Sequence, residues 1–165
     1  MAAPRRSGGG LIAAPAKSAE PAAPALPLAG YSGKPLARKL GLSAGARVAL
    51  LAAPDELLHW LAPLPEGVVF GPQPTADTDL TLCFCTERQF LLAALASARQ
   101  AMRADAALWV CWPKKAARVA TDITEDTVRA LALPLGWVDV KVCAVSAVWS
   151  GLKLVVRKAL RQPRP

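Results

Sequence analysis

The sequence predicts an α/β fold: a doubly wound, mostly parallel sheet of about six strands that ends in an antiparallel hairpin. Three observations carry this expectation. Short apolar runs alternate with segments of helical period. The runs are mostly apolar rather than alternating, as in strands buried on both faces. The last two runs lie too close together for a crossover helix, so the final strand must turn back antiparallel.

Pro35 to Leu40 forms a short helix, which Gly41 terminates. Arg47 to Ala52 is a fully buried strand. Pro54-Asp55-Glu56 opens the next helix, with proline at its first position and two acids against the helix dipole. Leu57, Leu58, Trp60 and Leu61 supply its apolar face. A short second strand, Val68 to Phe70, sits between Gly67 and Gly71, and a polar loop with Pro72 and Pro74 leads to the third, Asp79 to Cys85. Thr86 and Gln89 have capping-box spacing for a long helix that runs to about Met102. Ala107 to Trp112 is the fourth strand. Thr124, with Glu125 and Asp126 behind it, starts a further helix in which Val128, Leu131, Ala132 and Leu135 follow helical spacing until Pro134 ends it. Strand five, Trp137 to Val145, and strand six, Gly151 to Arg157, close the domain, with Trp149-Ser150-Gly151 as a hairpin turn that uses glycine for the backbone angle and tryptophan to cap the core. This layout resembles the class I methyltransferases, trimmed by about one strand–helix unit; such a likeness carries no function by itself.

Composition narrows the function classes. Residues 1–29 hold five prolines, ten alanines and Gly8-Gly9-Gly10, without apolar periodicity, so they read as a disordered tail ahead of one domain over residues 30–158, with a basic tail over 159–165. The formal charge of +8 divides into +2 for residues 1–29, +4 for 157–165 and +2 for the remainder, which has 13 basic and 11 acidic side chains. Basicity at the two ends does not make a specific nucleic-acid surface. Leu11-Ile12-Ala13-Ala14 ends at Pro15, too short for the hydrophobic region of an export signal, and no stretch reaches the length of a membrane span. A cytoplasmic protein is expected. Cys83, Cys85, Cys111 and Cys143 all lie in apolar runs without Cys-x-x-Cys spacing, which points to reduced buried thiols. Cys83 and Cys85 share a strand face and gain interest only if Cys111 or Cys143 faces them.

The cofactor signatures of doubly wound sheets are missing. The first strand–helix turn reads Ala52-Ala53-Pro54, so side-chain methyls stand where glycines would let a ligand approach and Pro54 removes a donor. The second strand ends in Phe70-Gly71-Pro72, with no carboxylate for ribose hydroxyls. No standard S-adenosylmethionine or dinucleotide site is expected, and so no cofactor is assigned. No Gly-x-Ser-x-Gly elbow or P-loop occurs, and neither His59 nor the cysteines have the spacing of metal ligands. His59 reads as a boundary packing residue.

Trp112-Pro113-Lys114-Lys115 leaves the fourth strand at the carboxyl edge of the sheet, where ligands of such folds bind. With Thr121, Asp122 and the helix start at Thr124 close behind, Lys114 and Lys115 make a candidate site for a phosphate or carboxylate; the plainer alternative is a solvated loop. Asp139 and Lys141, two apart, are expected on one strand face with Val140 and Val142 on the other. Lys141 is an added anion-site candidate and would need an acid such as Asp139 or Asp122 if buried.

Five segments taken in order, Tyr31-Ser32-Gly33-Lys34-Pro35-Leu36, Lys39-Leu40-Gly41, Trp112-Pro113-Lys114-Lys115, Thr121-Asp122-Ile123-Thr124-Glu125, and Lys141-Val142-Cys143-Ala144 with Trp149-Ser150-Gly151-Leu152, resemble the small bacterial domain-of-unknown-function family numbered 3052 over about residues 30–158. The resemblance implies a compact Rossmann-like cytoplasmic protein and supplies no catalytic residues. Ser146 stands where an acid is expected in such relatives. The reading is a non-catalytic module for a protein partner or a small anion, with no membrane role. Its alternatives are an enzyme acting on a phosphorylated or carboxylated small molecule through Lys114, Lys115 and Lys141, or a divergent methyltransferase.

Overall fold

A computed structural model describes residues 34–161. The expected tail, with Tyr31, Ser32 and Gly33, lies outside these residues, as does the end of the basic tail. Lys34 is exposed.

Six strands form one sheet: β1 (Arg47–Leu51), β2 (Val69–Gly71), β3 (Leu80–Phe84), β4 (Ala107–Pro113), β5 (Trp137–Ala144) and β6 (Trp149–Val156). Their spatial order is β2-β1-β3-β4-β6-β5. The first four run parallel, and β6 is antiparallel to both neighbours. The predicted fold class therefore holds.

Helices cover both faces, which is why the central strands are mostly apolar rather than alternating; all five residues of β3 are buried, Thr81 among them with its hydroxyl bonded to Met102 Sδ at 2.9 Å. On one face α3 (Arg88–Ala101) and α4 (Glu125–Ala132) bury Leu91, Leu95 and Val128 against Leu108, Val110 and Leu152. On the other, α1 (Leu36–Lys39) and α2 (Leu57–Leu61) bury Ala37, Leu57 and Leu61 against Leu82, Phe84 and Trp109. Each layer is pinned by one tryptophan. The Trp109 indole donates to the Leu40 carbonyl at 2.8 Å, and the Trp137 indole to the Leu95 carbonyl at 3.2 Å. A buried indole N–H must find such an acceptor.

Several local expectations change. Leu58 is 48% exposed, because α2 is only five residues long and buries just Leu57 and Leu61, one turn apart. His59 is exposed. The helix after β3 has no capping box: Glu87 occupies the cap position without a side-chain bond, and the Arg88 amide donates instead to Asp122 Oδ1 at 2.9 Å. Thr124 does cap α4, accepting from the Thr127 amide at 3.2 Å.

The closing hairpin also differs. Trp149, Ser150 and Gly151 belong to β6, and Val145 to Val148 form the turn. Ser146 Oγ accepts from the amides of Val148 and Trp149, each at 3.1 Å. Gly151 has no positive φ; a side chain there would meet the Trp109 ring at 3.1 Å and Val145 Cγ2 at 3.2 Å, so glycine serves close approach.

Asp139 and Lys141 do not share a face, because a register shift separates them. Asp139 aligns with Leu154 and Lys141 with Lys153, consecutive residues whose side chains leave opposite sides of β6. Asp139 Oδ2 accepts from Arg129 Nε of α4 at 3.0 Å, while Lys141 is exposed and needs no buried acid. The residues after β6 continue into a 3-10 turn, Lys158–Leu160, so the expected domain end at 158 falls within it.

Candidate functional site

The chain reverses its winding at β1. β2 pairs on one side of β1 and β3 on the other, so the carboxyl ends of β1 and β3 mark the switch point where doubly wound sheets leave a crevice. A cleft of about 330 Å³ lies there, lined by Ala52, Phe84, Cys85, Thr86, Glu87, Phe90 and Trp149. That is the small end of the range for ligand sites, about 300–1,000 Å³.

Each lining residue is placed by its element. Ala52 follows β1 directly with φ of 55°, a left-handed conformation that a methyl-bearing residue adopts at a cost of about 1–2 kcal/mol. Non-glycine residues held in that region cluster at functional sites. Phe84 ends β3, and Trp149 begins β6; their ring centroids are 5.1 Å apart with planes at 85°. Such an edge-to-face pair fixes both rings. Phe90, in the first turn of α3, is 42% exposed at the rim. Glu87 is exposed, and its carboxylate has no hydrogen bond or ion pair among the described residues.

Cys85 is the one thiol in the lining. Its Sγ donates to the Cys111 carbonyl at 3.5 Å, and a side-chain hydrogen bond with the Cys83 thiol, burial and the nearby Asp122 charge all push its pKa up. Burial pushes the Cys111 thiol up as well. The partly exposed Cys143 thiol is raised by desolvation, against the opposing charges of Lys39 and Lys141. All four cysteines are free, and the raised thiols of Cys85, Cys111 and Cys143 are poor nucleophiles at neutral pH. Cys83 and Cys85 pack into the α3–α4 face, whereas Cys111 and Cys143 pack on the opposite face, so the four do not converge.

The sequence-derived candidates lie next to this cleft rather than in it. Trp112 is buried at the end of β4, and the Lys114 amide donates to the Val148 carbonyl at 2.7 Å, tying the lysine loop to the hairpin turn. Lys115 is exposed in a 3-10 turn. Thr121 Oγ1 donates to the Thr86 carbonyl at 2.8 Å, and the Asp122 amide donates to the same oxygen at 3.2 Å. Thr121, Asp122 and Thr124 thus have protein partners, and the loop is stitched to the start of α3. Lys141 lies beside Lys153 on the far part of the sheet, with Cys143 and Gly151 paired two rows on.

Of the residues singled out in the sequence, Ala52, Cys85, Thr86 and Trp149 line the cleft, and none of the anion-site candidates does. Phe84, Glu87 and Phe90 were overlooked. The signal was available: the carboxyl-edge rule that drew attention to Lys114 applies equally to the end of β3, where two phenylalanines and a glutamate lie within seven residues. Among the described residues no group of His, Cys, Asp or Glu can hold a metal ion, and no helix is long and apolar enough to cross a membrane.

No family model matches the sequence, and no curated protein matches it. Solved structures do. A putative type 11 methyltransferase from Sulfolobus solfataricus is similar at a TM-score of 0.53 and 10% identity, over 78% of this chain and 94% of that one. A SAM-dependent methyltransferase from Aquifex aeolicus is similar at 0.50 and 14% identity, over 73% and 87%. A possible exported protein from Bordetella parapertussis is similar at 0.52 and 12% identity, over 74% of this chain and 66% of that one. At these identities the likeness is one of fold: this is a trimmed Rossmann-like sheet of the class I methyltransferase type.

Proposed function

We propose that this chain is a non-catalytic binding module on a trimmed methyltransferase fold, with the cleft between the ends of β1 and β3 as its ligand seat. The observation that carries this reading is the coincidence of the switch point with an aromatic concavity. Phe84, Phe90 and Trp149 line it from three separate elements, Phe84 buried in the α1–α2 core layer and Phe90 exposed at the rim. A concave, mostly apolar site with a few polar groups is the usual form of a small-molecule seat.

Two further features support binding without methyl transfer. Ala52 carries a methyl group where the backbone of a nucleotide site must approach its ligand, and β2 ends in Gly71-Pro72 with no carboxylate beyond it. Within the lining, Glu87 is the one carboxylate, beside a thiol whose pKa is pushed up, so neither an acid–base pair nor an activated nucleophile is assembled.

A thermal-shift screen of small metabolites tests this reading, repeated on Phe90→Asp, which places a charge on the cleft rim. At least one compound should stabilise the parent chain and lose its effect in the variant, and mass spectrometry should recover that compound unchanged. A screen without any stabilising compound, or recovery of a methylated product with S-adenosylmethionine present, would overturn it.

A further inference from the structure

We propose a second binding site at the opposite edge of the sheet, where Arg99, Arg157 and Arg161 form a seat for the phosphate group of a small phosphorylated ligand. Arg99 lies in the last turn of α3, and Arg157 follows β6, whose Val155 pairs with Ala107 at the start of β4. The guanidinium groups of Arg99 and Arg157 lie against one short turn, the 3-10 residues Leu133–Leu135 with Gly136, which leads into β5. A Cβ on Gly136 would stand 3.1 Å from Arg99 Nε and 3.6 Å from its Nη2, and Arg157 Nη1 lies 3.5 Å from the Leu133 carbonyl. The Arg157 amide donates to the Gly136 carbonyl at 2.8 Å, and Arg161 Nε donates to the Val156 carbonyl at 2.9 Å, which fixes the segment that carries both arginines.

The charges at this edge have the sign an anion requires. Among the described residues, none of Arg99, Arg157, Lys158 and Arg161 forms an ion pair. The neighbouring acids are already engaged: Asp79 and Asp105 hold Arg103, and Asp139 holds Arg129. With Asp79 and Asp105 counted in full against Arg99, Arg103, Arg157, Lys158 and Arg161, a surplus of three positive charges is left. The carboxyl ends of α3 and α4 offset about half a charge each, too little to cancel it.

Arginines near helix ends often serve only to answer exposed carbonyls, and Arg157 and Arg161 do so in part. Arg99 does not. Its Nε is buried without an acceptor, and its guanidinium makes no hydrogen bond among the described residues. A buried donor on a charged group is costly to leave unmet, so its retention points to a partner that the chain does not supply. Leu160, 39% exposed, borders the Arg99 fork and is the side chain that turns aside for Nε to reach an anion. Guanidinium groups match phosphate with paired N–H donors. A carboxylate fills one such fork, whereas the tetrahedral oxygens of a phosphate can meet two or three guanidinium groups at once.

Inorganic phosphate is the probe, titrated against sodium chloride at equal ionic strength and followed through the Gly136 amide signal of the nitrogen-labelled full chain. Phosphate should shift that signal saturably, with a dissociation constant on the order of 1 mM, and chloride should not. Arg99→Lys keeps the charge and the aliphatic stem but loses the fork, and it should weaken phosphate about fivefold. Arg157→Ala should weaken it by a similar factor. A shift that does not saturate, or that chloride reproduces, overturns the proposal, as does an affinity indifferent to both substitutions. An RNA oligonucleotide that binds this edge where phosphate does not would overturn it in favour of a polyanion surface. The cleft lies at the other edge of the sheet, so failure here leaves that ligand seat untouched.

Discussion

Asp122 caps a helix that begins 34 residues earlier: its Oδ1 accepts from the Arg88 amide at 2.9 Å, while its own amide donates to the Thr86 carbonyl. The lysine loop is therefore fastened to the amino end of α3 by a reciprocal pair of bonds. The cleft rim formed by Thr86, Glu87 and Phe90 inherits its position from that latch.

Replacing Asp122 with alanine removes the cap and should cost about 1 kcal/mol of stability, read as a lower urea midpoint at unchanged slope. Asp122→Asn keeps an acceptor oxygen and should cost less. An alanine variant as stable as the parent would show that solvent replaces the cap at no cost.

Ala52→Gly should raise stability by about 0.5–1 kcal/mol, since glycine enters the left-handed region without the steric penalty that alanine bears there. The gain is partly offset by the greater freedom of glycine in the unfolded chain. Equilibrium denaturation measures the difference, and a loss of stability would mean that the alanine methyl contributes packing at the cleft.

Gly151→Ala should be destabilising by about 1–3 kcal/mol, because the new methyl presses on the Trp109 ring and Val145 in a closely packed layer. Near-ultraviolet circular dichroism should report the disturbance of Trp109. A neutral result would mean that the Val145 turn yields freely.

Stability should fall as the solution is acidified below about pH 4, and Asp79 contributes to that fall. The Arg47 amide, bonded to Asp79 Oδ2 at 2.8 Å, holds this carboxyl below its ordinary 3.8, against a desolvation effect that raises it, and Arg103 at 2.9 Å adds to the lowering. A depressed folded-state pKa gives stability that is present above the unfolded value and lost as pH drops through the folded one. Asp79→Asn should be less stable near neutrality and should lose less on acidification. Parallel pH profiles for the two proteins would remove Asp79 from the account.

S-adenosylmethionine at millimolar concentration should leave the melting temperature unchanged. A ligand at a hundred times its dissociation constant would add about 2.7 kcal/mol, a shift easily seen. Micromolar binding by calorimetry would show that the Ala52 turn admits a nucleotide after all.

The order of strands and helices was legible because each element depends on side chains within a turn or a few residues of one another. The apolar runs of β1, β3 and β4 declare strands buried on both faces, and Thr124 caps α4 through an amide three residues on. The tertiary structure decided what depends on distant partners. Asp122 rather than a local capping box closes the start of α3. Gly151 is small because Trp109, 42 residues earlier, lies against it. The bulge that parts Asp139 from Lys141 follows from the pairing with β6 and from Arg129 on α4, neither of which shows in the alternation of a single strand. The cleft belongs to the same class. Ala52, Phe84, Phe90 and Trp149 come from four places in the chain, and only the winding of the sheet about β1 brings them to one switch point.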